Sequence, residues 1–297
     1  MGIRFLLIPI LCSLLHNINY AQEKSTKVRL GVIADPQYAD KDSKGSRFYR
    51  NSLLKLDTAS EVLNNGKVDF TIVLGDLVDV GTKDLEPVQR RLARLHSPVY
   101  NMLGNHDFVD TEDGTQLYKE LGMQAPYYVV EKGNWTFILL NTNELSEYAT
   151  KLGSSEREAW KNMNDGLTSK KRKNAQPWNG GVGNKQLQWM EKQIKKAQKK
   201  SKDVIIFTHH PLFPENGLET LNNREILSII TKYTNIRAVI SGHHHEGNFG
   251  TYKGIPMVTL EGMIETDKTN SYGTIDLYSK RIVLTGYGRM TSRVFEF

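Results

Sequence analysis

The stretch VDFTIVLGDLVD, Val68 to Asp79, carries the first decision about the fold. Phe70 to Leu74 is an apolar, β-branched run, the pattern of a buried strand. Gly75 ends it, and two carboxylates, Asp76 and Asp79, follow at once. The same type of run recurs along the chain. VRLGVIA ends at Asp35 and PVYNMLG at Gly104, and WTFILLN, DVIIFTH and IRAVISG repeat it. Helical stretches lie between them, one from about Phe48 to Asn64 with Leu53, Leu56 and Leu63 on one face, another from about Glu86 to Leu95. From Tyr252 to Val294 the chain reads as short strands separated by Gly and Lys turns. Strands alternating with helices predict a layered α/β architecture.

The N-terminus has a different character. Arg4, an apolar run from Phe5 to Leu15, and a polar stretch ending in Ala21-Gln22 make the three zones of a secretory signal. The run is shorter than the roughly 20 apolar residues a spanning helix needs. Cleavage after Ala21 is expected, giving a signal peptide over 1–21, one domain over 22–297, and a secreted or periplasmic product. It would remove Cys12, the only cysteine, so disulfide and thiol chemistry are excluded from the mature chain. It would also remove Arg4, lowering the formal charge from +6 to +5. Much of the remaining excess lies between Lys170 and Lys202. There Leu187, Met190, Ile194 and Ala197 mark the buried stripe of a helix whose lysines fall mainly on the other side. No aromatic residues interleave with them, which disfavours a nucleic-acid surface. After signal cleavage no stable membrane association is expected, and the sequence leaves the oligomeric state open.

Polar clusters follow the C-terminal ends of five strands, where ligands bind in layered α/β folds. The clusters are Asp35 with Gln37, Asp76 with Asp79, the GNHD segment Asn105-His106-Asp107, His209 with His210, and His243 to His245. Glycines before Asp76, Asn105 and His243 let the backbone turn and keep bulk away. This concentration of histidine and carboxylate points to metal binding. His243 and His245, two apart on an extended segment, would face one side, with His244 turned away in a structural role. Two metals roughly 3.5–4 Å apart would clamp a phosphate and lower the pKa of a water between them.

The order D-x-Q, GDxxD, GNHD, H, GHxH resembles the calcineurin-like metallophosphoesterases. The resemblance implies a four-layer α/β/β/α sandwich, two mixed sheets flanked by helices. It implies one metal held by Asp35, Gln37, Asp76 and His245, and a second by Asp76, Asn105, His209 and His243. It also implies that His106 acts near the leaving group and that Asp79 orients it. GVIADPQYAD, GSRFYRNSLLKL, WNGGVGNKQLQWM and LEGMIET narrow the likeness to the manganese-dependent ADP-ribose/CDP-alcohol diphosphatases. Within that subgroup Arg47 matches the arginine of the corresponding motif and Trp178 fills a position held by an aromatic residue, which makes both candidates for substrate binding. The glutamine of D-x-Q offers a hard neutral oxygen, which favours Mn²⁺, with Mg²⁺ or Fe²⁺ as alternatives, over Zn²⁺. The chain departs from the subgroup in its second histidine, His210, in its signal segment, and in a short region from Asp107 to Tyr128.

The expected function is therefore dinuclear hydrolysis of phosphoanhydride or phosphodiester bonds in small nucleotide-diphosphate-type substrates. A secreted general phosphomonoesterase or nuclease of the same superfamily is the alternative, and a non-catalytic anion-binding protein is the alternative of another class. GDLVDVG lacks the arginine of Ser/Thr protein phosphatases and the tyrosine of purple acid phosphatases, which disfavours both.

Overall fold

Each of the six runs from VRLGVIA to IRAVISG is a strand in the computed structural model, which describes residues 28–111 and 114–297. The expected signal segment lies outside those residues. β1 (Val28–Ile33), β2 (Phe70–Leu74) and β3 (Val99–Met102) run parallel side by side, connected through α1 (Ser52–Asn65) and α2 (Leu85–Leu92). After α3 (Gly114–Glu120) the chain opens a second sheet with the hairpin of β4 (Tyr128–Lys132) and β5 (Trp135–Leu139). Then come α4 (Ser155–Ser169), α5 (Asn184–Lys199), β6 (Asp203–Thr208), α6 (Asn223–Ile230) and β7 (Ile236–Ser241), with β5, β6 and β7 parallel neighbours. β8 (Asn248–Tyr252) pairs antiparallel with β9 (Ile255–Thr259), which lies parallel beside β7. The chain finally returns to the first sheet. β10 (Ser271–Leu277) pairs antiparallel with β1, and β11 (Arg281–Gly288) and β12 (Arg293–Glu296) extend it. The orders are β12-β11-β10-β1-β2-β3 and β4-β5-β6-β7-β9-β8, so both sheets are mixed.

Side-chain alternation along the strands builds the layers. Leu30, Val32, Ile72 and Leu74 of one sheet meet Phe137, Leu139, Ile205, Phe207 and Ile240 of the other in a single inter-sheet core. The intervening residues point outward. Ile33 and Val73 pack with Leu56 and Leu63 of α1 and Val88 of α2, while Ile138, Ile206 and Val239 pack with Met190 and Ile194 of α5 and Ile226 of α6. The result is the expected four-layer α/β/β/α sandwich. α5 buries Leu187, Met190, Ile194 and Ala197 and exposes most of its lysines. No helix of the described residues is long and apolar enough to cross a membrane.

α4 falls outside the helices that the apolar patterning predicts. Ser154 caps it by accepting the Arg157 N–H at 3.2 Å, and Glu156 and Glu158 occupy its first turn, where acidic groups suit the helix dipole. Trp160, Met163 and Leu167 dock it on Leu145 and Leu221, well apart from the main core.

The inter-sheet core is the mechanical base of the site, and Phe137 sits at its centre, fully buried, with its ring edge-on to Phe70 at 5.1 Å. Phe137→Ala should lower unfolding free energy by about 3–5 kcal/mol, as aromatic truncation in a packed core does. Leu152→Ala, at a residue 91% exposed, should change it by less than about 0.5 kcal/mol. Urea titration of both variants checks the contrast.

Candidate metal centre

The C-terminal ends of β1, β2 and β3 meet those of β6 and β7 at one edge of the sandwich, and the chain turns sharply there. Asp35 (φ 48°), Gln37 (φ 45°), Asp76 (φ 48°) and His243 (φ 69°) all take the left-handed conformation. Non-glycine residues adopt it seldom, mainly where the surroundings dictate it. Here the turns aim polar side chains back over the sheet edge. Gly104 makes room for them, since a methyl group there would collide with the Asp76 carboxylate and the His209 ring.

One cluster holds Asp35, Asp76 and His245, with a ligand atom of each within 4.8 Å of the others. Burial and the adjacent charge of Asp76 push Asp35 well above the usual carboxylate range. A cation between the two carboxylates relieves that cost. His245 donates its Nδ1–H to Glu265 Oε1 at 2.8 Å, which leaves the Nε2 lone pair 3.8 Å from Asp35 Oδ1. Gln37 donates Nε2–H to Asp79 Oδ1 at 2.6 Å, and its Oε1 is buried without a hydrogen-bond partner. Carboxylate oxygens only accept, so the amide orientation follows from Asp79. Gln37 therefore offers its oxygen.

The second cluster forms around His209. Its Nδ1–H donates to the Leu74 carbonyl at 2.8 Å, so Nε2 carries a lone pair. That lone pair faces Asn105 Oδ1 at 3.2 Å and Asp76 Oδ1 at 3.6 Å. Three electron-pair donors turned on one another make an arrangement that a cation resolves. His243 donates Nε2–H to Asn179 Oδ1 at 3.2 Å, and its Nδ1 is buried without a partner. Asn179 is fixed in turn, its amide donating to the carbonyls of Asn174 and Gly217 at 3.0 and 2.8 Å. Burial lowers the pKa of His209 and His243 and so keeps both rings neutral with a lone pair free. The seven residues named from the sequence thus lie in or beside these two clusters, and their carboxylate, amide and imidazole donors fit divalent cations.

His210 stands in the same cluster but has no nitrogen to spare. Its Nε2–H donates to the Trp178 carbonyl at 3.0 Å, and its Nδ1 accepts from Thr142 Oγ1 at 2.8 Å. It supports the metal side by packing its ring against His243, centroids 4.4 Å apart. His244 joins neither cluster, as expected of a ring turned from the ions, but the reason is a turn and not strand alternation: His243 is left-handed and the Gly242–Gly247 segment is closed by turns. His244 lines the cleft over the metal centre and meets Asn216 Nδ2 at 3.2 Å.

That cleft, of about 610 Å³, is walled by Arg47, His106, Trp178 and Leu218 besides the metal-side residues. The Trp178 side of the wall is open, the residue being 44% exposed, and Arg47 is held 3.7 Å from Glu265. His106 directs Nδ1 to Asp79 Oδ1 at 3.1 Å, leaving Nε2 as its other ring atom. Burial acts to lower its pKa, but the Asp76 charge and the Asp79 bond outweigh that and raise it to about 9. Lys41 pairs with the other oxygen of Asp79, fixing the carboxylate between three partners. Asp107 accepts the N–H groups of Val78 and Gly104 at 3.0 and 2.9 Å and ties the two motif loops together. Glu265, Asn179 and Lys41 were not assigned roles from the sequence. Asn179 and Glu265 lie in the quoted segments WNGGVGNKQLQWM and LEGMIET, and Lys41 lies just past GVIADPQYAD.

A family model described as calcineurin-like phosphoesterase matches residues 28–247. A manganese-dependent ADP-ribose/CDP-alcohol diphosphatase from Arabidopsis thaliana is 32% identical over 90% of this chain and 96% of its own. The human protein of that name is 29% identical over 90% of this chain and 92% of its own. Among solved structures, a dimetal phosphatase from Danio rerio superposes with a TM-score of 0.83 at 24% identity, covering 92% of this chain and all of that one.

The orientation of Gln37 leads to a test. Gln37→His replaces a carboxamide oxygen with an imidazole nitrogen and should move the metal preference from Mn²⁺ toward Zn²⁺. Competitive titration of the metal-free protein with the two ions measures it; an unchanged ratio would mean that the buried oxygen holds no metal.

Proposed function

The chain belongs to the calcineurin-like phosphoesterase family, and from that premise we propose that it uses two divalent ions, Mn²⁺ preferred, to cleave the phosphoanhydride bond of small nucleotide-diphosphate substrates of the ADP-ribose/CDP-alcohol kind. It is a metal-dependent hydrolase of phosphoric esters or anhydrides. The observation that carries the finer reading is the pair of adjoining clusters, with Asp76 in one and 3.6 Å from His209 of the other, and with Gln37 Oε1 and His243 Nδ1 left unpartnered beside them. Asp35, Gln37, Asp76 and His245 would hold one ion, and Asp76, Asn105, His209 and His243 the other. When bound, the ions supply charge neutralisation for the phosphoryl oxygens and an activated water.

The chain's own residues do the rest. Asp79 holds the His106 Nδ1–H, which leaves Nε2 to hand a proton to the departing oxygen. Arg47, with a planar fork suited to phosphate oxygens, grips the second phosphoryl group. Trp178 offers a face for a nucleoside base at the outer wall of the cleft. The N-terminal signal pattern supports export, with residues 22–297 as the mature single-domain chain. Export is tested by sequencing the N-terminus of the protein recovered from a producing cell: a start at Gln22 supports it, a start at Met1 or Gly2 rejects it.

A Mn²⁺-supplemented comparison of ADP-ribose and CDP-choline with p-nitrophenyl phosphate and its bis ester tests the substrate class. Preference for the diphosphates is expected, and preference for the monoester would replace the reading with a general phosphatase. His106→Ala should leave metal binding intact and slow turnover roughly 10²–10⁴-fold, as loss of a general acid does. The loss should shrink on p-nitrophenyl esters, whose leaving group needs no proton. Equal losses on both substrate types would remove His106 from the leaving-group side.

A further inference from the structure

Lys55 is a buried lysine with no part in the chemistry above. It lies on the inner face of α1, 5% exposed, among Ser52, Leu56 and Ala59. A lysine is almost never buried this deeply unless its charge is matched. Its Nζ donates to three main-chain carbonyls, Met263 at 2.9 Å, Glu265 at 2.7 Å and Thr266 at 2.7 Å. An ammonium group has three donors, and all three are used on one short segment.

That segment is irregular and lies beside the first metal cluster. Met263 and Ile264 donate their N–H groups to the carbonyls of Ala34 and Asp35, and Thr266 donates to Ser46. The segment's one carboxylate, Glu265, accepts from His245 Nδ1 and stands 3.7 Å from Arg47. Glu265 thus stands between the His245 imidazole and the Arg47 guanidinium, on backbone that Lys55 holds through the Glu265 carbonyl. A carboxylate so placed fixes the tautomer and aim of a metal-holding histidine. Remove the ammonium, and three carbonyls that converge on one point lose their shared partner.

We propose that Lys55 is a positioning residue for the metal centre: its ammonium sets the backbone of Met263–Thr266 and, through Glu265, aims His245 at the ion it shares with Asp35. The inference rests on the metal-centre reading given above. It predicts an asymmetry, because the cluster of His209 and His243 owes its alignment to Leu74 and Asn179, not to this segment.

The test is Mn²⁺ binding to the metal-free full chain, by calorimetry and by the electron paramagnetic resonance of free Mn²⁺, with melting temperature followed in parallel. Lys55→Met should weaken one of two Mn²⁺ sites roughly tenfold, the lower end of what outer partners of metal-holding histidines contribute, and leave the other unchanged. Glu265→Gln should weaken the same site, and the double variant should lose no more than Glu265→Gln alone. Losses that multiply in the double variant, equal weakening of both sites, or a lowered melting temperature with unchanged Mn²⁺ affinity would each overturn the proposal. Wild-type protein that binds no Mn²⁺ would defeat the metal-centre reading and this inference with it. If Lys55→Met does not fold, Lys55→Ala refolded with n-propylammonium carries the same question. Affinity restored by the amine, and not by tetramethylammonium at equal concentration, is the expected result; no restoration rejects the role.

Discussion

Two fully buried carboxylates at neighbouring strand ends set the terms for the rest of the molecule. Asp35 and Asp76 follow parallel strands whose side chains build the inter-sheet core, so neither can retreat to water without moving β1 or β2. Like charges in such a place are unfavourable unless cations join them. The surrounding groups are arranged accordingly. His209, His243 and His245 each spend one ring nitrogen on a protein acceptor and keep the other for the centre. The acceptors differ in kind, a main-chain carbonyl, a fixed amide and a carboxylate, yet each does the same job of choosing the tautomer.

Asp79 joins the two functions of the site. One of its oxygens meets both Gln37 Nε2 and His106 Nδ1, and Lys41 takes the other. A change of rotamer at Asp79 would disturb Gln37 and His106 together. This gives the glutamine of D-x-Q a physical meaning beyond its oxygen, since its NH₂ end needs an acceptor and Asp79 is in place to serve.

The strands were legible because each is a short apolar run stopped by glycine or a polar residue, and the clusters because they follow those stops. Ile72, Val73 and Leu74 announce a buried strand, and Asp76 announces what lies past its end. The partners behind the clusters left no such mark. Leu74 acts through its carbonyl, which no side-chain pattern reports. Asn179 and Glu265 reach the histidines from segments distant in sequence, and nothing local in WNGG or LEGMIET specifies whom they touch. His244 stays out of both clusters through a turn and not through period-two alternation, which holds only on extended backbone, and His243 is left-handed. α4 had a readable start in Ser154, Glu156 and Glu158, but its apolar face serves a small satellite cluster instead of the sheets.

The pairing of β1 with β10 bears on the order in which the molecule can be assembled. Val28 lies opposite Leu277, so the first described strand completes its hydrogen bonds only with one of the last. A chain emerging from the ribosome N-terminus first has every candidate metal ligand in hand by His245, while one edge of β1 is still bare. Until β10 arrives, that edge is an apolar strand open to any other strand nearby. The sandwich therefore closes late, through a contact of long sequence separation, and such closures are slow. A chain halted between His245 and Ser271 would carry a complete set of candidate ligands while β1, which leads into Asp35, is paired on its β2 edge alone.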